Sequence, residues 1–173
     1  MNFRLNTNRL SLHQIRSDHQ EYIIDYLGHA EHAQYLPLER PYTWDEAAQW
    51  FIGRLDHWQK HNFGSFIIYL EQSVEVIVGY CGIEHVRDSQ YIDIRYGISK
   101  KYWGHGYAYE AALEVLRFGF NTLGLNRLYG AAVPANIPSI KLLKKLGMTK
   151  DSNFDVYGEE VNHYSFTVAK HKQ

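Results

Sequence analysis

The run Tyr96-Gly97-Ile98-Ser99-Lys100-Lys101-Tyr102-Trp103-Gly104-His105-Gly106-Tyr107-Ala108 is where residue types and spacing could do chemistry. A strand-like segment meets a glycine-bearing turn, and helical spacing of apolar residues begins just after Gly106. Such a turn leaves backbone N–H groups free at a helix N-terminus, where the partial positive charge favours an anion. Gly104 and Gly106 remove the side chains that would keep a phosphate away from those amides. Two other phosphate sites do not fit. A Walker loop needs Gly-Lys-Ser/Thr entering the helix, and His105-Gly106-Tyr107 stands there. A dinucleotide fingerprint needs a third glycine at Tyr109 in a first strand–helix–strand unit, and this strand is the fourth. A strand–helix turn that binds nothing would carry the same two glycines.

The elements that must position this turn follow from patterning. Residues 9–15 alternate apolar and polar like a half-buried strand, and Tyr22, Ile23, Tyr26 and Leu27 recur at helical spacing. Thr43 with Glu46 forms a capping box ahead of Ala47, Trp50, Phe51, Leu55 and Trp58, which predicts a helix over 44–60. Strand-like runs at 65–70, 76–84 and 90–98, joined by short polar links, read as an antiparallel meander. A helix follows Gly106 and ends near Gly124; then come a strand at 127–133, a helix at 139–146 stopped by Gly147, and strands at 149–157 and 162–168 pairing across Gly158-Glu159. That order predicts one α/β (α+β) domain over residues 1–173.

Composition narrows the partners. Of 173 residues 45% are hydrophobic, enough for a core. Lysine and arginine total 18 against 19 acids, a net charge of −1, so no nucleic acid and no membrane is expected as a partner. The longest apolar stretch, 76–83, is closed by Glu75 and Glu84, and no signal peptide is visible, which points to the cytoplasm. The single cysteine, Cys81, excludes an intramolecular disulfide and reads as core. His57 and His61 have helical spacing but no third ligand, so no metal is expected.

Downstream, Val133-Pro134-Ala135-Asn136-Ile137-Pro138-Ser139 leads to Leu146-Gly147-Met148. With the loop at 102–108, the Glu110-Ala111 that follows it, the opening Thr7-Asn8-Arg9-Leu10-Ser11-Leu12, and Pro41-Tyr42-Thr43, the chain resembles the GNAT superfamily of acetyl-CoA-dependent N-acetyltransferases from Thr7 to Val168. Within it the chain is similar to the branch that acetylates ribosomal-protein N-termini. The resemblance implies a mixed, mostly antiparallel sheet of about seven strands with helices on both faces. It also implies that the fourth and fifth strands splay, with the pantetheine arm of acetyl-CoA between them. Backbone groups of Tyr96, Gly97 and Ile98 would pair with the arm, and amides of Trp103 or Gly104, His105, Gly106, Tyr107 and Ala108 would hold the pyrophosphate. The ring of His105 is expected to stay out of that contact. Asn136 would hydrogen-bond the arm and Ser139 would sit near the sulfur; on the residues alone they read as a turn residue and a helix cap. Leu143 stands where many relatives carry a tyrosine that protonates the leaving thiolate, so Ser139 or water must serve. Arg95 stands where a glycine is usual.

Attack of an amine on a thioester needs a neutral amine, and an α-amino group of pKa about 8 asks less of a base than a lysine of about 10.4. The candidates for that base are Asp93, at the place of a frequent family carboxylate, and Glu84. Alternation puts Asp93 and Arg95 on one face, so a plain ion pair competes with catalysis, and such a pair would lower the Asp93 pKa. Glu84 reads equally as a solvated strand end. The expected partners are acetyl-CoA and an amine acceptor (a protein N-terminus, a polyamine, an aminoglycoside or another small amine), with a homodimer left open. A non-catalytic acyl-CoA-binding module, its acceptor side filled by Arg95, is the competing reading.

Overall fold

Eight strands form one open sheet in the computed structural model, which describes residues 3–167. They are β1 (Arg4–Asn6), β2 (Leu10–Gln14), β3 (Ser65–Leu70), β4 (Ser73–His85), β5 (Ile92–Ile98), β6 (Arg127–Ala132), β7 (Thr149–Lys150) and β8 (Asn162–Thr167), in the order β1-β2-β3-β4-β5-β6-β8-β7. Every neighbouring pair is antiparallel except β5 and β6, which are parallel. The helices are α1 (Gln20–Leu27), α2 (Ala30–Ala33), α3 (Trp44–His61), α4 (Tyr107–Arg117) and α5 (Ile137–Lys145). Tyr80 of β4 meets Tyr26 of α1 and Trp50 of α3 edge to face, so α1 and α3 cover one face. On the other, Gly130 of β6 has no room for a Cβ beside Leu143 of α5, and Gly119, just after α4, none beside Ile83 and Leu128. Among the described residues no helix is long and apolar enough to cross a membrane.

The meander and the mixed sheet are as the pattern predicts, with three differences. An eighth strand, β1, is a three-residue edge too short to show alternation. The strand expected over 149–157 ends at Lys150. There Asp151 turns the chain, its Oδ1 accepting from Asn153 N at 3.1 Å and its carbonyl from Phe154 N at 3.3 Å. The apolar signal came from Phe154, which is fully buried in a loop. Of the last predicted strand, Val168 lies outside the described residues. Finally, α5 begins two residues early, because Asn136 caps it and Pro138 sits in the first turn, where no amide partner is needed.

The helix that walls the site is held at its start by the predicted box. Thr43 Oγ1 accepts from Glu46 N at 3.3 Å, and Glu46 Oε2 accepts from Thr43 N at 2.8 Å. Arg40 binds the same carboxylate at 2.7 and 2.8 Å, which holds Glu46 down at a pKa of about 2. Thr43→Ala should destabilise the protein by about 1 kcal/mol in urea denaturation. An unchanged midpoint would mean that α3 is fixed by packing alone.

Candidate active site

The turn after β5 is built to keep its amides free. From Gly104 to Tyr109, no backbone N–H donates to another described residue, and the first internal bond of α4 runs from Glu110 N to Gly106 O. Gly104 and Gly106 have φ of 81° and 77°, the left-handed region that a β-branched residue resists. A Cβ on Gly104 would meet nothing within 4 Å, so the space over the amides is open. Six adjacent free amides at the start of an eleven-residue helix fit a pyrophosphate. The Trp103 amide is not among them, since it donates to Lys100 O at 3.1 Å. The His105 ring folds back, Nδ1 lying 3.1 and 3.0 Å from the carbonyl oxygens of Tyr102 and Trp103.

A clamp from far away in the chain holds this loop. Glu110, in the first turn of α4, accepts from Thr7 Oγ1 at 2.6 Å, from Arg9 N at 3.0 Å and from Arg9 Nε at 2.7 Å. Arg9 Nη1 donates in turn to the His105 carbonyl at 3.0 Å. Burial pulls the Glu110 carboxyl upward, and the bonds from Thr7 and Arg9 outweigh it and keep the pKa below the ordinary value. On the opposite side Lys100 N donates to His32 Nε2 at 3.0 Å, while His32 Nδ1 donates to Tyr26 O at 2.9 Å. The opening Thr7-Asn8-Arg9 and Glu110 were legible as a motif; their role was not, because the partners lie about a hundred residues apart in sequence.

Beside the loop, β5 and β6 share the single register pair Asp93 and Tyr129 and then part. Ser99 N donates to Val78 O of β4, while Ile98 O faces the other way, to the Trp103 indole N–H at 2.7 Å. Strand alternation therefore turns the peptide groups of Tyr96 and Ile98 to the gap and those of Gly97 to β4. Gly97 contributes by lacking a side chain: a Cβ there would collide with the Tyr26 hydroxyl. Across the gap, Asn136 Oδ1 accepts from Ser139 N at 3.2 Å, so Asn136 is the cap and Ser139 the capped residue, the reverse of the simple cap expected of Ser139. That bond leaves the Asn136 amide NH₂ and the Ser139 hydroxyl without a partner among the described residues. The Tyr96 hydroxyl lies 3.4 Å from the Ser139 carbonyl oxygen.

On the α3 side opens a cavity of about 500 Å³, walled by Tyr42, Trp50 and Tyr80 and reaching Asn136 and Ser139. Its floor carries charge. Arg95 Nε donates to Asp93 Oδ1 at 2.9 Å and Arg95 Nη1 to Glu84 Oε2 at 3.1 Å, and Arg54 Nε lies 3.5 Å from Glu84 Oε2. Tyr157, from the loop that replaces the expected strand, donates its hydroxyl to Asp93 Oδ2 in a short hydrogen bond. Glu84 is 2% exposed and accepts a second hydrogen bond, from Ser65 Oγ at 2.6 Å; it is no solvated strand end. The two carboxyls shift in opposite directions. Burial raises Asp93 above its ordinary value, outweighing Arg95 and the Tyr157 bond, contrary to the lowering expected from the ion pair. Burial also acts upward on Glu84, but Arg54, Arg95 and Ser65 prevail and hold it low. Glu84 is thus stabilised as an anion beneath two guanidinium groups, whereas burial favours the protonated form of Asp93.

Sequence reasoning missed Tyr157 and Arg54. Tyr157 was read as part of a strand. Arg54 follows Trp50 by four residues, and its guanidinium lies over that ring at 3.9 Å; a charge within an apolar helical face was the available signal.

Comparison with known proteins agrees with this arrangement. A family model described as acetyltransferase (GNAT) domain matches residues 9–149. The p20 N-acetyltransferase of Bacillus licheniformis is 26% identical over 171 residues, 96% of each chain. An acetyltransferase from Agrobacterium tumefaciens has the same fold at a TM-score of 0.87 and 23% identity, covering 96% of this chain and 95% of that one. The ribosomal-protein-S5-alanine acetyltransferase from Vibrio fischeri superposes at 0.72 and 19% identity, covering 99% and 100%. With its turn of free amides, its parted strands and this match over most of its length, the chain belongs to the GNAT acetyltransferases, enzymes that move acetyl from acetyl-CoA to an amine nitrogen.

Gly106→Val should weaken acetyl-CoA binding by roughly tenfold or more, through strain at positive φ and a blocked approach to the amides. Glu110→Gln, which loosens the clamp without touching the loop, should act in the same direction by about threefold. Calorimetry on folded variants decides: unchanged affinity in both would remove the loop from the cofactor site.

Proposed function

We propose that residues 1–173 form one acetyltransferase domain that acetylates an α-amino group of low basicity, with Asp93 as the base. The observation that carries this is the raised Asp93 carboxyl on the cavity floor, next to the gap between β5 and β6 and bonded to Tyr157. Acetyl-CoA supplies the acetyl thioester. The free amides from Gly104 to Ala108 orient its pyrophosphate, the edge of β5 at Tyr96 and Ile98 and the side chain of Asn136 align the arm, and the thioester then faces the cavity. The amine enters over Tyr157. Its proton passes to Asp93, directly or through the Tyr157 hydroxyl, as nitrogen attacks the carbonyl carbon. The Ser139 hydroxyl stands ready to protonate the departing sulfur, since Leu143 is buried in the core and has no proton to give.

The acceptor we favour is a protein or peptide N-terminus. An α-amino group of pKa about 8 is partly neutral near pH 7 and asks only for a modest base. The structural likeness to a ribosomal-protein acetyltransferase supports the choice, and we place the activity in the cytoplasm. A binding module whose acceptor side is filled by Arg95 fits poorly: Arg95 lies folded onto Asp93 and Glu84, and the cavity above it is open.

The test is the pH dependence of kcat, which reports the enzyme–substrate complex. Wild type should lose rate as pH falls through the raised Asp93 pKa. Asp93→Asn should cut kcat by about a hundredfold and abolish that limb. Tyr157→Phe removes a bond that stabilises the Asp93 carboxylate, so the limb should move to higher pH. If Asp93→Asn keeps both rate and limb, Asp93 is structural, and Glu84 or a bound water holds the role.

A further inference from the structure

The cavity floor offers more hydrogen-bond donors than the protein uses. Two guanidinium groups carry ten N–H bonds between them. Arg95 spends three of its nitrogens on Asp93, Glu84 and, at a long 3.4 Å, the Tyr157 oxygen. Arg54 makes no hydrogen bond with any described residue; its buried Nε meets Glu84 Oε2 only as an ion-pair contact at 3.5 Å. The four charges are also layered. The carboxylate side chains are 3% (Glu84) and 5% (Asp93) exposed, the arginines above them 15% (Arg54) and 25% (Arg95). A molecule entering the cavity therefore meets guanidinium edges first and carboxylates behind them. The walls beside them are the aromatic rings of Tyr42, Trp50 and Tyr80, a less polar surface that strengthens any charge pairing on the floor. Glu39 is the one other carboxylate lining this cavity among the described residues; it is exposed at the rim, where solvent screens it.

We infer that the acceptor carries a carboxylate within a few bonds of the amine, and that Arg54 and Arg95 receive it. The inference rests on the reading of Asp93 and Tyr157 above. The amine must reach those two groups, and Arg95 contacts both of them, so the anion it binds lies close to the reacting nitrogen. A planar carboxylate matches the donor fork of a guanidinium. Polyamines and aminoglycosides, which bring further positive charge, are turned away by the same pair. The carboxylate has two sources: an acidic side chain at a peptide N-terminus, or the α-carboxylate of a free amino acid, whose amine becomes less basic once the guanidinium pair neutralises that charge.

Matched acceptors separate these outcomes. Thiol release from acetyl-CoA is followed with alanine against alaninamide, phenylalanine against phenylalaninamide, aspartyl-alaninamide against asparaginyl-alaninamide, and spermidine. Removing the carboxylate makes the amine less basic and so intrinsically readier to attack, which means that a preference for the acid reports recognition. The acid member of at least one kind of pair should win in kcat/KM by about tenfold or more, with spermidine below it. The kind of pair identifies the source. Arg54→Gln should bring the ratio close to one, chiefly by raising KM for the acid. Should that variant fail to fold, Arg54→Lys keeps a charge over Glu84 but loses the fork, and the ratio should still fall. Equal rates within every pair, a faster spermidine, or a ratio untouched by both Arg54 variants overturns the inference. Acetylation without acid preference refutes this step alone, whereas no thiol release with any amine refutes the base assignment beneath it as well.

Discussion

β5 and β6 meet at one register pair and part directly above it, and the site is organised by that parting. An unpaired strand edge inside a protein leaves peptide groups that need partners. Here the edge at Tyr96 and Ile98 pairs with no described strand, and the Trp103 indole covers Ile98 O. The same divergence opens the sheet beside Asp93, so the gap between the strands and the charged cavity floor fall at one place, where the proposed reading puts the thioester. The glycine-bearing turn then needs only to follow β5 directly, which it does.

The second determinant is the pairing of two carboxyls with two arginines in little solvent. Buried ion pairs seldom add net stability, because desolvation offsets attraction. What this cluster provides is a difference between its acids. Glu84 has Arg54, Arg95 and Ser65 and stays ionised, whereas Asp93 shares Arg95 and relies on one tyrosine hydroxyl. Glu84 is held as the anion, and Asp93 is the floor carboxyl whose neutral form burial favours. Arg95 does not close the cavity, because Asp93 and Glu84 fold it down against the strand.

Much of this was legible in the sequence because it is local. The turn with two glycines, the capping box at Thr43, the Asn136 motif and the shared face of Asp93 and Arg95 all depend on residues a few positions apart. What escaped depends on contacts between distant segments. Glu110 reads as an ordinary first-turn acid until Thr7 and Arg9 arrive from the other end of the chain. Tyr157 sits in a stretch whose alternation mimics a strand, and Asp151 alone signals the turn that frees it. The direction of the Asp93 shift could not be read at all, since sequence shows the neighbouring arginine but not the degree of burial that outweighs it.

Burial drives the two carboxyls apart in acidity, and site-resolved titration can follow that split group by group. Carbon-13 NMR of labelled side-chain carboxyls, assigned with Asp93→Asn and Glu84→Gln, would follow both groups in the folded protein. Asp93 should titrate with a midpoint above the ordinary 3.8 and Glu84 with one below 4.5. An Asp93 that titrates at or below its ordinary value, with Glu84 the raised group, would contradict it.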